Sequence, residues 1–437
     1  MPTMTFPISR IEGHAQAVIE IRKGLAAKAY FQATEFRGFE RFIQGTPAEE
    51  VIVIVPRICG VCATAHHLAA VKALEGLYAV TPPPLALKIR ELLMLGQMIQ
   101  SQATSLFLFT MPDELGTESM MPAEASTPAD RAAADLAQHA LRIRKIGTAL
   151  IELAGGQFIH PVNAVIGGVT HGIAPGDAAA MHARIQATLP TACALFDEYI
   201  EQAMALRERI GTWGDDTPAA YISAVADHRP DYTGKSLRVM GVDGAEAAAF
   251  AARDYAAYLT LEDTDYSYAG RMTFRGGLMR ANSLARINLA KSIGTPLADG
   301  YLAHFRNTFG NPAHAILLFD QARGIELVYG LERALEILAE PLDDNDTKTS
   351  YTPRDGEAFG LVEAPRGPLI HHYVIEKGLI AKARFIIPTV FNVGAIEHAL
   401  KVAARRYITG DGVNMELEHA VGRVVRAFDP CIACATH

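Results

Sequence analysis

Two short stretches in which hydrophobic and polar residues alternate stand near the two ends of the chain, and between them the pattern changes to helical spacing. Gln16–Arg22 and Leu25–Gln32 flank Lys23-Gly24, a two-residue connection in which Gly accepts positive φ, so a hairpin is predicted. The segment Tyr373-Val-Ile-Glu-Lys-Gly378, followed by Leu379–Phe385, echoes Val18–Gly24 and Leu25–Phe31. It predicts a second, similar hairpin, either in the same sheet or as an unrelated Lys-Gly turn. Between them, Thr81 with Pro82 reads as a helix start, and Leu85, Ile89, Leu92, Leu93 and Ile99 recur at spacings of three and four, predicting a helix to about Phe109. Thr127-Pro128-Ala129-Asp130 repeats the start signal and Gly155-Gly156 supplies a stop, which predicts a helix of about 25 residues spanning nearly 40 Å. Ala-rich periodic segments follow at 176–211, 244–260, 279–293 and 325–339, with Pro190 expected to interrupt the first. The run Val51–Val55, before a Cys-Gly turn and the helical Leu68–Tyr78, reads as a strand. No linker of low complexity divides the chain. The expectation is one domain over 1–437, mainly α with small β elements (α+β): a large helical bundle whose N- and C-terminal hairpins come together.

Composition narrows the function classes. The 437 residues are half hydrophobic and one-fifth charged, so a sizeable core is expected rather than disorder. Forty basic against 48 acidic residues give −8, with the acids scattered, so no basic face offers itself to nucleic acid or anionic lipid. No run approaches the ~20 apolar residues of a membrane span, Ser105–Met111 being the longest candidate. The start Met1–Phe6 lacks the basic leader and apolar region of a signal peptide, so a cytoplasmic protein is expected.

The chemistry lies in the cysteines, of which four form two Cys-x-x-Cys pairs. The first is Arg57-Ile-Cys59-Gly60-Val-Cys62-Ala-Thr-Ala-His66-His67, where a Gly turn leading into a helix would aim both thiols at one point. Alone it reads equally as a redox dithiol, half a zinc site or chance. The second, Asp429-Pro430-Cys431-Ile-Ala-Cys434-Ala-Thr-His437, supplies two more sulfurs, enough for one tetrahedral site if the ends of the chain meet. Structural zinc is the default for such spacing, yet zinc ribbons keep their pairs close because a short loop closes at lower entropic cost, and soft sulfur also suits nickel and iron. Two polar stretches, Ser9–His14 and Glu363–His372, carry Arg and Glu that would otherwise pass as surface residues or a rigid turn.

Taken together, six stretches in order resemble the large subunit of a [NiFe]-hydrogenase: Arg-Ile-Glu-Gly-His at 10–14, Phe-Arg-Gly-Phe-Glu at 36–40, Arg-x-Cys-Gly-x-Cys-x-x-x-His at 57–66, Gly-Gly-x-x-x-His-Pro at 155–161, Ala-Pro-Arg-Gly at 364–367 and Asp-Pro-Cys-x-x-Cys-x-x-His at 429–437. The resemblance implies that family's fold, with the hairpin-bearing ends meeting at a buried metal site, and reversible heterolytic cleavage of H2 at a Ni–Fe centre whose iron carries CO and two cyanides. It implies Cys59 and Cys431 as terminal nickel ligands and Cys62 and Cys434 as bridges. Cys431 would accept the proton and Glu12 would carry it onward, while Arg366, with Asp429, would stand over the open metal position and polarise H2. Thr389 beside Pro388, and the backbone after Pro365, resemble groups that hydrogen-bond the cyanides; Leu369 resembles a residue packed by the CO, and His66 one that hydrogen-bonds a cysteine sulfur. Glu40 and His437 match ligands of a Mg²⁺. In the family the chain is commonly cut after this histidine once the metals are in, so an ending at His437 implies a mature form, a gene without the extension, or a shortened sequence.

Some relatives place an Asp near Ser101-Gln102, and a Ser often stands where Ala433 is here. Cys193 reads as a core residue, and His67 and His372 have no assigned role. With four cysteines on the metals, only Cys193 remains, so this chain holds no iron–sulfur cluster, and neither a Gly-x-Gly-x-x-Gly fingerprint nor a P-loop offers a nucleotide site. The electrons from H2 must therefore leave through an iron–sulfur small subunit, with further electron-transfer subunits behind it. The wording of the motifs is most like the cytoplasmic, cofactor-coupled multisubunit group. A structural four-cysteine zinc protein and a hydrogen-sensing regulatory subunit are the alternatives, the former leaving Glu12, Glu40, Arg366 and His437 unexplained.

Overall fold

A computed structural model describes residues 3–408 and 415–436. Long helices occupy the middle of the chain and a three-stranded antiparallel sheet stands at each end. The N-terminal sheet comprises Thr3–Pro7, Ala15–Arg22 and Leu25–Ala33, and the C-terminal one Gly356–Ala364, Gly367–Glu376 and Leu379–Ile386, each in sequence order. Both Lys-Gly turns are found, with Lys23 and Gly24 at φ 53° and 71° and Lys377 and Gly378 at 54° and 72°. Two left-handed residues in succession match the twist of the flanking strands, which is why the same dipeptide closes both hairpins. The hairpins do not share a sheet; each gains its own third strand, and a single bridge between Pro47 and Leu379 links the C-terminal turn to the segment after the N-terminal sheet.

The helix Ala63–Tyr78 packs along the strand Gly356–Ala364, and Pro84–Ala103 lies against Pro128–Gly155. That last contact is made through glycines: a Cβ on Gly147 would sit 2.4 Å from the Gln100 nitrogen, and one on Gly96 2.8 Å from the Ile151 nitrogen. Leu318–Leu338 packs against Pro84–Ala103 and Pro175–Ile210, and the apolar faces merge into one core reaching the cysteines. Among the described residues no helix is long and apolar enough to cross a membrane.

The start at Thr127 is as expected, with a complete capping box to Asp130 and Gly156 left-handed at the far end. Other expectations are corrected. The helix assigned to Thr81 begins at Pro84, because each residue before a proline is driven out of the helical region and 82–84 are all proline; it passes at Thr104 into a looser-turned stretch to Thr110. Pro190 does not interrupt Pro175–Ile210; it is exposed, so the carbonyl that loses its partner can turn to water. Residues 244–260 are not a helix: Glu246–Phe250 is a strand paired with Leu237–Met240, in a five-stranded sheet with Ala220–Ala226 that periodicity did not reveal. Of 279–293 only Ser283–Leu289 is helical, after a short strand at Met279–Arg280. Val51–Val55 lies in short helical turns rather than a strand.

Candidate metal centre

The two cysteine pairs both begin on an extended residue and both run into a helix, but the helix starts after the second cysteine in one and after the first in the other. Cys59 is extended (φ −150°, ψ 128°) and Cys62 caps the N-terminus of Ala63–Tyr78; Cys431 is extended (φ −107°, ψ 106°) and caps the turn Ile432–Ala435, which contains Cys434. Both pairs thus lead from an extended residue into a helical start. The four sulfurs lie within 4.8 Å of one another, and all four residues are buried. Cys62 and Cys434 are closest at 2.8 Å, Cys431 and Cys434 are 2.9 Å apart, and Cys59 and Cys431 are 3.4 Å apart.

The C-terminal pair is fixed by distant residues. Glu12 pairs with Cys431 in a parallel bridge, its carbonyl accepts the Ile432 N–H at 3.2 Å, and its carboxylate Oε2 accepts the Ala433 N–H at 3.0 Å and lies 3.1 Å from Cys431 Sγ. Gly13, at φ 78°, makes this approach possible, because a Cβ there would be 2.7 Å from Ile432 Cβ. The Cys431 N–H donates to Thr389 Oγ1 at 3.0 Å, and the Arg37 N–H to the Thr436 carbonyl at 2.9 Å.

Arg366 stands at the tip of the hairpin between Gly356–Ala364 and Gly367–Glu376, yet that tip is buried in the site. Its Nε donates to the Asp429 carbonyl at 2.7 Å and Nη2 to Asp429 Oδ1 at 3.0 Å, while Nη1 is buried with no partner among the described residues. Arg366, Pro365, Leu369, Pro388, Thr389, His66 and three of the cysteines line a small cavity beside the sulfurs, with about 20 Å³ of room for the centre of a water-sized sphere. Glu40 accepts the Phe385 N–H at 2.7 Å and so ties its segment to the C-terminal sheet; His437 lies outside the described residues.

Burial pushes the Glu12 carboxyl up, helped by the charge at Cys59. Hydrogen bonds from Cys431, Cys434 and Cys62 hold the Cys59 thiol well below its usual value, whereas burial pushes Cys431 and Cys434 well above theirs. Four buried sulfurs without a cation therefore concentrate their first negative charge on one of them; a bound cation reverses this by stabilising every thiolate. The Arg366 guanidinium is held firmly protonated by Asp429 and the thiols despite its burial.

The residues fit a nickel–iron thiolate centre. The donor set is four soft sulfurs, the Nη1 of Arg366 is an orphaned donor in the adjoining cavity wall, and Thr389, accepting from Cys431, still has its own hydroxyl proton to give. The model of the nickel-dependent hydrogenase family matches residues 37–113 and 228–437. The chain is 36% identical over 414 residues to one of the subunits of the F420-non-reducing hydrogenase vhu of Methanococcus voltae, covering 91% of this chain and 97% of that one. It is 31% identical over 461 residues to the "NAD-reducing hydrogenase HoxS subunit beta" of Cupriavidus necator, covering 99% and 93%. The solved structure of an NAD+-reducing [NiFe]-hydrogenase in the H2-reduced state superposes with a TM-score of 0.91 at 30% identity over the full length of both chains. The chain belongs to the nickel-dependent hydrogenase family. It is a [NiFe]-hydrogenase large subunit, an oxidoreductase acting on hydrogen, with its four-cysteine cluster as the site.

Sequence reasoning missed several residues of this neighbourhood. Arg286, fully buried on Ser283–Leu289, donates to the Pro365 carbonyl at 2.7 Å and the Ala364 carbonyl at 3.1 Å, and pairs with Glu363 at 2.9 Å and with Glu326, so it holds the strand end that presents Arg366. Burial pushes Glu363 up to about 7 in spite of Arg286. The only signal was a charged residue inside an apolar helical run. His67, without a role in the sequence, is hydrogen-bonded through Nδ1 to the Ile52 carbonyl at 2.9 Å and anchors the first cysteine arm. His372 stacks on Phe359 at 4.2 Å, and Cys193 is half-buried on Pro175–Ile210.

Proposed function

We propose that the chain, as a single unit over 1–437, is the catalytic subunit that cleaves H2 at a Ni–Fe(CO)(CN)2 centre. The observation that carries this reading is the convergence of four buried sulfurs with an unpartnered Arg366 Nη1 and the Glu12 carboxylate, a combination that a structural zinc site has no use for. Cys59 and Cys431 would hold the nickel, and Cys62 and Cys434, the closest sulfurs, would be shared between nickel and iron. When bound, the centre supplies an open coordination position and the redox change for heterolysis of H2.

This chain's own residues do the rest. Cys431 Sγ takes the proton and passes it to Glu12 Oε2, 3.1 Å away, whose carboxyl is pushed up from its ordinary value by burial and so is a better proton acceptor. Arg366, oriented by Asp429, polarises H2 from the cavity wall. Pro365, Pro388 and the hydroxyl of Thr389 would cradle the cyanides and Leu369 would pack by the CO, all of them lining the cavity beside the sulfurs, and His66 donates to the sulfur of Cys434. Glu40 and His437 would hold a Mg²⁺, a hard cation suited to oxygen and nitrogen donors.

Electrons leave through an iron–sulfur small subunit, since the cysteine left over, Cys193, cannot hold a cluster. Exposed Phe36, Phe42 and Val53 stand on the segments leading to Cys59 and suit such a partner's docking face. The relatives are named as subunits, which supports an assembly with further electron-transfer chains, and a cytoplasmic location is proposed with it. The test is an infrared spectrum of the purified protein in the window where metal-bound CO and cyanide absorb and protein does not, with metal analysis. Bands that shift under H2, with nickel and iron present, are expected; an empty window with zinc alone would overturn the reading.

A further inference from the structure

Behind Cys434, three buried polar side chains stand in a row. His66 Nε2 lies 3.4 Å from Cys434 Sγ, His66 Nδ1 lies 3.0 Å from His371 Nε2, and His371 Nδ1 lies 2.6 Å from Tyr373 Oη. His66 is in the first turn of Ala63–Tyr78, while His371 and Tyr373, two apart on Gly367–Glu376, face the same side of their strand. All three are buried, and the buried Phe385 ring packs against each of them, so the row is shut off from solvent.

The far end sets the direction of the row. Burial pushes the Tyr373 phenol well above its ordinary range, so it keeps its proton, and among the described residues its hydrogen-bond partner is His371 Nδ1. The O–H therefore donates and Nδ1 accepts. A neutral imidazole carries one N–H, so His371 has it on Nε2 and donates to His66 Nδ1. His66 by the same rule carries its proton on Nε2 and donates to Cys434 Sγ. The opposite direction would leave the buried Tyr373 O–H without an acceptor among the described residues, which buried polar groups avoid.

We propose that Tyr373 and His371 are positioning residues that fix the tautomer of His66, making it a donor to the Cys434 sulfur, and thereby set how much electron density that thiolate gives to the metals. No bond is made or broken along the row; each member polarises the next. The inference rests on the reading of Cys434 as a ligand of a Ni–Fe centre. A hydrogen bond to a thiolate withdraws density from it, so the iron returns less to its CO and cyanides, and their stretching frequencies stand higher than they would without the row.

The test is the infrared spectrum of the metal-loaded enzyme as wild type, as Tyr373→Phe, and with a difluorinated tyrosine incorporated at 373, whose phenol is a stronger donor of nearly the same size. Tyr373→Phe should lower the CO and cyanide bands by a few wavenumbers at unchanged nickel and iron content, and the fluorinated phenol should raise them. Bands at wild-type positions in both proteins would overturn the inference. If Tyr373→Phe fails to take up metal, the fluorinated protein decides alone, an upward shift supporting the row and an unmoved spectrum overturning it. Absence of all such bands in the wild type would instead overturn the Ni–Fe reading, and this inference with it.

Discussion

The two cysteine arms share a spacing and an extended first cysteine and differ in what holds them. Cys59 and Cys62 sit between the turn Val55–Ile58 and a 16-residue helix, with His67 bonded back to Ile52, so most of the arm's support lies nearby in sequence. Cys431 and Cys434 lie on a turn whose helical part is only four residues, and their supports come from Glu12, Gly13, Arg37, Arg366 and Thr389, the nearest of them 42 residues away. The first arm is braced largely by its own helix; the second is held by residues distant in sequence.

The largest effects test that difference directly. Cys59→Ser and Cys431→Ser should each abolish nickel retention and H2 oxidation, but only Cys431→Ser should markedly speed amide exchange of residues 429–436. Equal loosening of the tail in both variants would break the comparison. Glu12→Gln keeps an oxygen acceptor for the Ala433 N–H and so keeps the tail in place, yet removes the carboxyl that carries the proton. Activity should fall by roughly 10²–10⁴-fold at unchanged metal content, and normal turnover would take Glu12 off the proton route.

The helical arm has a pH signature of its own. Burial lowers His67 to about 4, against about 6.5 for an imidazole in water. The folded state thus binds this proton more weakly than the unfolded state; its contribution is complete above about pH 6.5 and is lost as pH falls toward 4, a loss of about 3 kcal/mol. Thermal unfolding of the wild type and His67→Gln at pH 7 and pH 4 should show the larger acid-induced drop in the wild type, and equal drops would remove His67 as the cause. The smallest effect belongs to the tail: Gly13→Ala, strained at φ 78° and facing Ile432 Cβ at 2.7 Å, should cost about 1–3 kcal/mol and lower nickel content while leaving protection of Ala63–Tyr78 unchanged. Loss of protection in that helix instead would show that the two arms are not independently held.

Much of this was written locally in the chain. The Lys-Gly turns specify their hairpins because few dipeptides accept two left-handed residues, and Thr127 with Asp130 fixes a helix start through its own side chains. The six motifs name the four sulfurs, Glu12, Arg366 and Asp429, and the structure gathers all of them at one point. What periodicity misread has a common cause. Ala-rich 246–250 has no strong preference of its own and becomes a strand because Leu237–Met240 offers an edge, while Val51–Val55, β-branched though it is, coils into turns under the first cysteine arm. Arg286, His371 and Tyr373 escaped notice because their partners are far away in sequence: a buried Arg is recognisable only once Glu326, Glu363 and the Pro365 carbonyl are seen around it.

The sequence by itself determined the chemistry of this protein: two thiol pairs, each of the form Cys-x-x-Cys, with a carboxylate and a guanidinium in recognisable company. Covalent order and local backbone preference suffice for that, since they act over a few residues. Only the tertiary structure decided that sulfurs 369 positions apart lie within 4.8 Å, that the tip of a hairpin is buried with one guanidinium nitrogen unpaired among the described residues, and that a phenol stands two imidazoles away from Cys434. Those placements depend on burial and on contacts between distant segments, and such forces act only once the chain has closed on itself.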